Sequence, residues 1–248
     1  MMRKQMSLRH VVKRYIPRPL LVRLKSMNGR RKRCLSQMGQ DFWVFGEVFD
    51  GKRNGYFLEV GSADGVTLSN TFLLEKRYGW RGICIEANPL VFEDLRRVRT
   101  VTCLNVCIDA VEGEIDFLQR GLYGGIVGME TDNPPNTALE EGSRLLRLRT
   151  EPLASVLVRE GAPHIIDYLS IDVEGREDRI LKEFPFSDYV FNCMTVERPK
   201  EGLREVLSRN GYIVIKEIPH HDVFYVHESF LASYERNVFS FWEKMYRR

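Results

Sequence analysis

Beyond residue 34 the chain exchanges short apolar runs with amphipathic segments, and no other feature restricts its fold so strongly. "GYFLEV", "GICIEA", "VTCLNVCI", "IDYLSIDV", "FNCMTVE" and "YIVIKEI" have the look of strands, and "TFLLEKRY", "VFEDLRRV", "ASVLVREG", "DRILKEF" and "LREVLSRN" that of the helices between them. Strands separated by helices imply parallel βαβ units with helices on both faces of one sheet. The end of the chain differs. Only Pro219, His220, His221 and Asp222 part "YIVIKEI" from "VFYVHES", too few residues for a parallel crossover, so an antiparallel hairpin is expected to close the sheet. "TDNPPNT" at 131–137 is the clearest irregular loop.

At 248 residues and 44% apolar content the chain suffices for one α/β domain. No run of about 18 apolar residues is present, and the N-terminus is charged where a signal peptide needs an apolar core, so a soluble, cytoplasmic protein is expected. The five cysteines (Cys34, Cys84, Cys103, Cys107 and Cys193) contain no C-x-x-C pair, and neither structural disulfides nor zinc are expected.

The net charge of +3 hides an asymmetry: residues 1–33 hold twelve Lys/Arg and no acid, which leaves 25 of the 37 bases against all 34 acids in the body. The chain therefore divides into a basic arm, 1–34, and a domain, 35–248. In the arm, Leu8, Val11, Val12 and Tyr15 have helical spacing before Pro17, and they suit either packing on the domain or peripheral attraction to an anionic membrane at its inner face. Nucleic acid is not an expected partner, because no binding motif accompanies the basic run.

In an open parallel sheet, ligands sit at the carboxyl ends of the strands. Glu59 in "FLEVGSADG" lies at one such end, directly before a glycine-framed turn, and Glu86 in "GICIEANP" ends the next strand, where a carboxylate suits the two hydroxyls of a ribose. A nicotinamide dinucleotide would bring a pyrophosphate against Glu59 and Asp64. S-adenosylmethionine has no phosphate but carries a sulfonium and an ammonium, so the acids favour it.

"SQMGQD" (36–41), "GYFLEVGSADGVTLSNT" (55–71), "EKRYGWRGICIEANP" (75–89), "IDYLSIDVEG" (166–175) and "TVE" (195–197) together resemble the FkbM-type family of S-adenosylmethionine-dependent methyltransferases, over about residues 36–226. The resemblance implies a class I methyltransferase fold, with a seven-stranded sheet whose last strand is antiparallel. It also implies methyl transfer to an oxygen, chiefly on sugars, glycans and secondary metabolites. It assigns cofactor contacts to Glu59, Gly61, Ser62, Asp64, Gly65, Asn70, Glu86, Ala87, Asp109 and Asp172, with Glu59 at the methionine amino end, Glu86 on the ribose, Asp109 at the adenine edge and Asp172 at the methyl-transfer site. Gln37 and Gln40 are placed to fold over the cofactor or to cap a helix.

An alcohol nucleophile must lose a proton, so a base or a metal is expected near the strand ends. His220 and His221, in the hairpin turn beside Asp222, are the base candidates along with Asp172. The alternative is Mg²⁺ held by Asp172, Glu174 and Glu197; Glu174 equally suits the start of the helix in "GREDRI". The acceptor expected is a hydroxyl of a sugar, glycan or glycosylated metabolite. A non-sugar natural product, or a non-catalytic membrane-associated module on a degenerate methyltransferase fold, are the alternatives.

Overall fold

A computed structural model describes residues 34–129, 131–135 and 142–232 of the chain. The basic arm, with the helical spacing read in it, falls outside the described residues, apart from Cys34, as does part of the 131–137 loop.

The large sheet has seven strands: β1 (Tyr56–Val60), β2 (Arg81–Ile85), β3 (Thr102–Leu104), β8 (Ile165–Ile171), β9 (Val190–Glu197), β10 (Tyr212–Glu217) and β11 (Asp222–His227). Their order is β10-β11-β9-β8-β1-β2-β3, and only β11 runs against its neighbours. The expected hairpin forms, but it does not simply extend the edge. β11 inserts between β9 and β10, which sets Asp222 opposite Glu197 and brings the turn at His220 and His221 to the carboxyl ends of the parallel strands.

Helices cover both faces because β1 alternates between them. Leu58 and Val60 face one apolar cluster, which takes Leu153 and Val156 of α4 (Leu153–Arg159), Ile180 and Leu181 of α5 (Glu177–Lys182), and Leu203 and Leu207 of α6 (Glu201–Arg209). Phe57 faces the other, with Trp43 and Val44 of the helical turns after α1 (Gln40–Phe42), Leu74 of α2 (Phe72–Tyr78) and Leu95 of α3 (Pro89–Val98). The start of α3 is local chemistry: Pro89 takes the first turn, where an N–H has no partner anyway, and the Asn88 side chain accepts from the Leu90 N–H.

A second sheet departs from the expectation. "VTCLNVCI" is not one strand: it breaks at Asn105 and Val106, leaving β3 in the large sheet and β4 (Cys107–Ile108) in a four-stranded sheet. That sheet has the order β4-β7-β5-β6, from β5 (Gly113–Gln119), β6 (Gly125–Ile126) and β7 (Arg144–Glu151). Ile115, Phe117, Leu146 and Leu148 form its apolar face, while Asp116 and Arg147, directly opposite each other, pair at 2.9 Å on the exposed one. Among the described residues no helix is long and apolar enough to cross a membrane.

Candidate active site

At the carboxyl ends of β1, β2, β8 and β9 a cavity of about 410 Å³ opens under the second sheet, within the range of about 300–1,000 Å³ usual for small-molecule sites. Its floor begins with the turn after β1. Gly61 has φ 84°, and a Cβ there would overlap the backbone carbonyl of Asp172, so the close approach of the β1 and β8 ends requires glycine.

Glu59 borders the cavity, yet its carboxylate is fully engaged inside the protein. It accepts from the Asn70 N–H at 2.9 Å and the Thr71 hydroxyl at 2.7 Å, and it pairs with Arg99 Nη1 at 3.3 Å. Arg99 is itself buried and binds Glu75, the Thr71 hydroxyl at 2.7 Å and the Gly65 carbonyl at 3.2 Å. Glu59 therefore shapes the 65–72 segment, and the ammonium contact expected of it competes with Arg99.

Three further candidates lie away from the cavity. The Asp64 carboxylate closes its own turn, accepting from the Val66 and Thr67 N–H groups and the Thr67 hydroxyl; burial opposes ionisation, but these bonds hold its pKa below the ordinary value. Gly65 packs its Cα side on Leu95 and Arg99. Asp109 pairs with Arg179 Nε at 2.7 Å and accepts from the Ala110 N–H. Asp64, Gly65 and Asp109 do not line the cavity, so the adenine-edge role expected of Asp109 finds no support in its position.

Gly61, Ser62, Asn70, Glu86, Ala87 and Asp172 do line it. Glu86 is held by two backbone donors, Ala63 N–H at 2.9 Å and Asn88 N–H at 2.7 Å, while burial raises its pKa. Around it Ile85, Val106, Ile108, Phe117 and Ile126 form an apolar slot. Asn88 then ties this end to the second sheet, donating to the Gly121 carbonyl at 3.1 Å and accepting from Gln119 Nε2 at 3.0 Å. A fixed carboxylate acceptor beside an apolar slot fits a nucleoside without phosphate, such as that of S-adenosylmethionine.

The opposite end is acidic. Asp172, Glu177 and Glu197 bring carboxylate oxygens within 4.8 Å of one another, and so do Asp132, Glu174 and Glu197. The trio expected from sequence is thus divided between two groups that share Glu197, with Glu177 and Asp132 as members the sequence did not suggest. Burial, and after it the neighbouring Glu197, drives the Asp172 pKa well above the carboxylate range. Burial takes Glu177 to about 7, and burial with the bond to Asp132 takes Glu174 to about 7. Neither Glu174 nor Glu177 caps α5: no side chain caps its start, and Glu177, its first residue, turns back to accept from the Val173 N–H at 2.7 Å in the preceding loop.

Arg198 answers part of this charge, pairing with Asp132 and, at 2.9 Å, with Glu197. His220 and His221 line the mouth, but Asp222 accepts from Gln40 Nε2 at 2.5 Å and is engaged there, not in orienting an imidazole. Gln37 and Gln40 also line the cavity. The 36–41 segment is fastened by Asp41, which accepts from the Ser36 hydroxyl at 2.6 Å and the Leu35 N–H at 2.9 Å, and Ser36 bridges to Leu68.

The N-terminal domain of human METTL16 in complex with SAH aligns with a TM-score of 0.41 and 11% identity, over 79% of this chain and 72% of that one. A methyltransferase from Pyrococcus furiosus aligns with a TM-score of 0.35 and 15% identity, over 87% of this chain and 98% of that one. No functionally curated protein matches the chain. Residues 59–214, more than half of the 248, match the methyltransferase FkbM domain, so the chain belongs to the FkbM methyltransferase family, whose cofactor is S-adenosylmethionine.

Proposed function

We propose that this protein is an S-adenosylmethionine-dependent O-methyltransferase acting on a hydroxyl of a sugar, glycan or glycosylated metabolite. The observation that supports it most is the Asp172, Glu177 and Glu197 group, set at the strand ends on the cavity that Glu86 also borders. A hydroxyl seated there has carboxylate acceptors to orient it and take its proton, with His220 and His221 at the same mouth. S-adenosylmethionine, when bound, supplies an electrophilic methyl group. Glu86 would hold the ribose, the slot around Ile85, Val106 and Ile108 the base, and Gln37 and Gln40 would exclude water from above. The chain's contribution is then largely positioning, since displacement at a methyl carbon needs the reacting atoms in line.

Hard carboxylate oxygens at Asp172, Glu177 and Glu197 also fit Mg²⁺, with Glu174 and Asp132 as the adjoining set. The ion would lower the pKa of a coordinated hydroxyl. The basic arm is proposed to hold the protein at an anionic membrane face, where a surface-bound glycan acceptor is presented. The test is a panel of free and lipid-linked sugars incubated with labelled S-adenosylmethionine. O-methylated sugar products, identified by mass spectrometry and absent with Asp172→Asn, are expected. Label appearing only on nitrogen or carbon acceptors overturns the proposal.

A further inference from the structure

One rung of the large sheet is polar from its edge to its centre. Cys103 of β3 stands in register with Cys84 of β2, Cys84 with Glu59 of β1, and Glu59 with Ser170 of β8. Cys84 is fully buried, and Cys103 packs half-buried against the same apolar cluster, so the two sulfurs share one face. Adjacent strands lie about 4.7–4.9 Å apart, inside the roughly 4.4–6.8 Å between Cα atoms that a disulfide spans. β3 has three residues and pairs with β2 alone, so a local shift to complete the bond disturbs little else.

The two thiols are unequal. A hydrogen bond from Cys84, and beyond it the charge of Arg99, hold the Cys103 pKa below the usual thiol value, while burial drives that of Cys84 well above it. The edge sulfur is the better nucleophile, and the buried one is placed to resolve what forms on it.

We propose that Cys84 and Cys103 are an oxidisable pair whose reversible disulfide uncouples Cys84 from Glu59. With hydrogen peroxide, the Cys103 thiolate attacks one oxygen, the O–O bond breaks, and sulfenic acid and hydroxide result. Cys84 then attacks the sulfenic sulfur, and its proton leaves with the hydroxyl group as water. In balance, two thiols and one peroxide give one disulfide and two waters. While Cys103 is a thiol, the single Cys84 proton is directed to Glu59 Oε2 at 3.8 Å, on the carboxylate that fixes Asn70 and Thr71 beside the cavity, and it turns to the neighbouring sulfur only when Cys103 ionises. The disulfide removes that donor, so the oxidised protein is expected to hold the cofactor more weakly; this consequence rests on the S-adenosylmethionine site proposed above.

The full-length protein should be treated with a small excess of hydrogen peroxide, alkylated and digested with trypsin. Peptide 82–96 should appear linked to peptide 100–120, and dithiothreitol should release them. The link should persist in Cys107→Ser and vanish in Cys103→Ser, with Cys103→Ala as a second check. Cys103 remaining reduced or passing to sulfinic acid without the link overturns the pair, as does a link that survives Cys103→Ser. Calorimetry with S-adenosylhomocysteine should show about threefold or greater weakening on oxidation, reversed by reduction and missing in Cys103→Ser. Unchanged affinity in the linked protein overturns the coupling to Glu59. Absence of binding in the reduced protein, by contrast, counts against the cofactor site and leaves the peptide result to decide on the thiols.

Discussion

Oε2 of Glu59 lies 3.3 Å from Nη1 of Arg99, and both side chains are withdrawn from solvent beneath the glycine turn after β1. Removing one partner strands the other as a buried charge, which costs about 3–5 kcal/mol. Arg99→Ala is expected to lower stability by that order, and Glu59→Gln by less, because the amide still bonds to Thr71. Urea unfolding monitored by circular dichroism checks this; an Arg99→Ala midpoint equal to that of the parent would show the pair to be dispensable.

Glu86 meets the cavity with its carboxylate already aimed by two backbone donors. Glu86→Gln should keep the fold and weaken S-adenosylhomocysteine binding by about 1.5–3 kcal/mol, the worth of a hydrogen bond to a charged group. Titration calorimetry reads it directly, and an unaltered affinity would remove Glu86 from the ribose.

Asp172 and Glu197 crowd two carboxyl groups together, so an amide at one of them relieves repulsion as well as removing the proposed base. Asp172→Asn is expected to unfold no earlier than the parent and to lose turnover by a factor of about 10²–10⁴. Retained turnover would confine Asp172 to a structural role. Adding a chelator to the parent distinguishes the two modes of deprotonation: loss of activity restored by Mg²⁺ points to the carboxylate groups holding an ion, and indifference points to Asp172, His220 or His221 acting alone.

The raised carboxyl groups have a consequence for stability. Glu177 and Glu174 titrate near 7 in the folded chain against an ordinary 4.5, so the native state holds protons that the unfolded chain releases. Stability is therefore greatest toward the acid side of this window and falls as pH rises from about 4.5 through about 7, by up to roughly 1.4 kcal/mol per pH unit for each fully retained proton. Glu75, held at about 2 against the cost of burial by Lys76 and Arg99, adds no slope there. Urea midpoints at pH 5.5 and 8, in chelator, should show the drop, and Glu177→Gln should flatten it; equal midpoints in the parent would contradict the shifts.

The arm supplies a separate expectation. Its twelve Lys/Arg are each worth about 1 kcal/mol near an anionic surface, so the full chain should sediment with anionic vesicles at low salt and release at high salt. A chain starting at Ser36 should keep its cofactor affinity and lose the vesicles. Equal sedimentation of the two chains would exclude the arm as the contact.

Most strands and the place of the cavity were legible because apolar periodicity is local: each βα unit carries its own pattern, and Glu86 or Asp172 is located simply by ending a strand. Partners were not legible. Glu59 carries the mark of a ligand-facing acid until Arg99, forty residues on, is folded beside it, and Asp109 until Arg179 arrives from α5. The second sheet escaped notice because "RLLRLRTE" alternates apolar residues with arginine, and its cross-strand acids sit in "GEIDFLQ", so each stretch by itself resembles solvated loop. Asp64 was expected on the cofactor too, although its bonds to Val66 and Thr67 lie within three residues, and an Asp at the head of a turn is the signal that could have shown them.

The insertion of β11 between β9 and β10 fixes when the site is completed as the chain is made. β10 pairs its backbone with no other strand of the sheet, so until residues 222–227 emerge it has no ladder to join, and the turn bearing His220 and His221 stays unplaced. Elongation proceeds at about 5–20 residues per second, and the parallel strands that carry Glu59, Glu86 and Asp172 leave the ribosome first. The mouth of the cavity is consequently the last part of the sheet to acquire its shape, and a chain cut short before Asp222 would carry most of the core with an unfinished entrance.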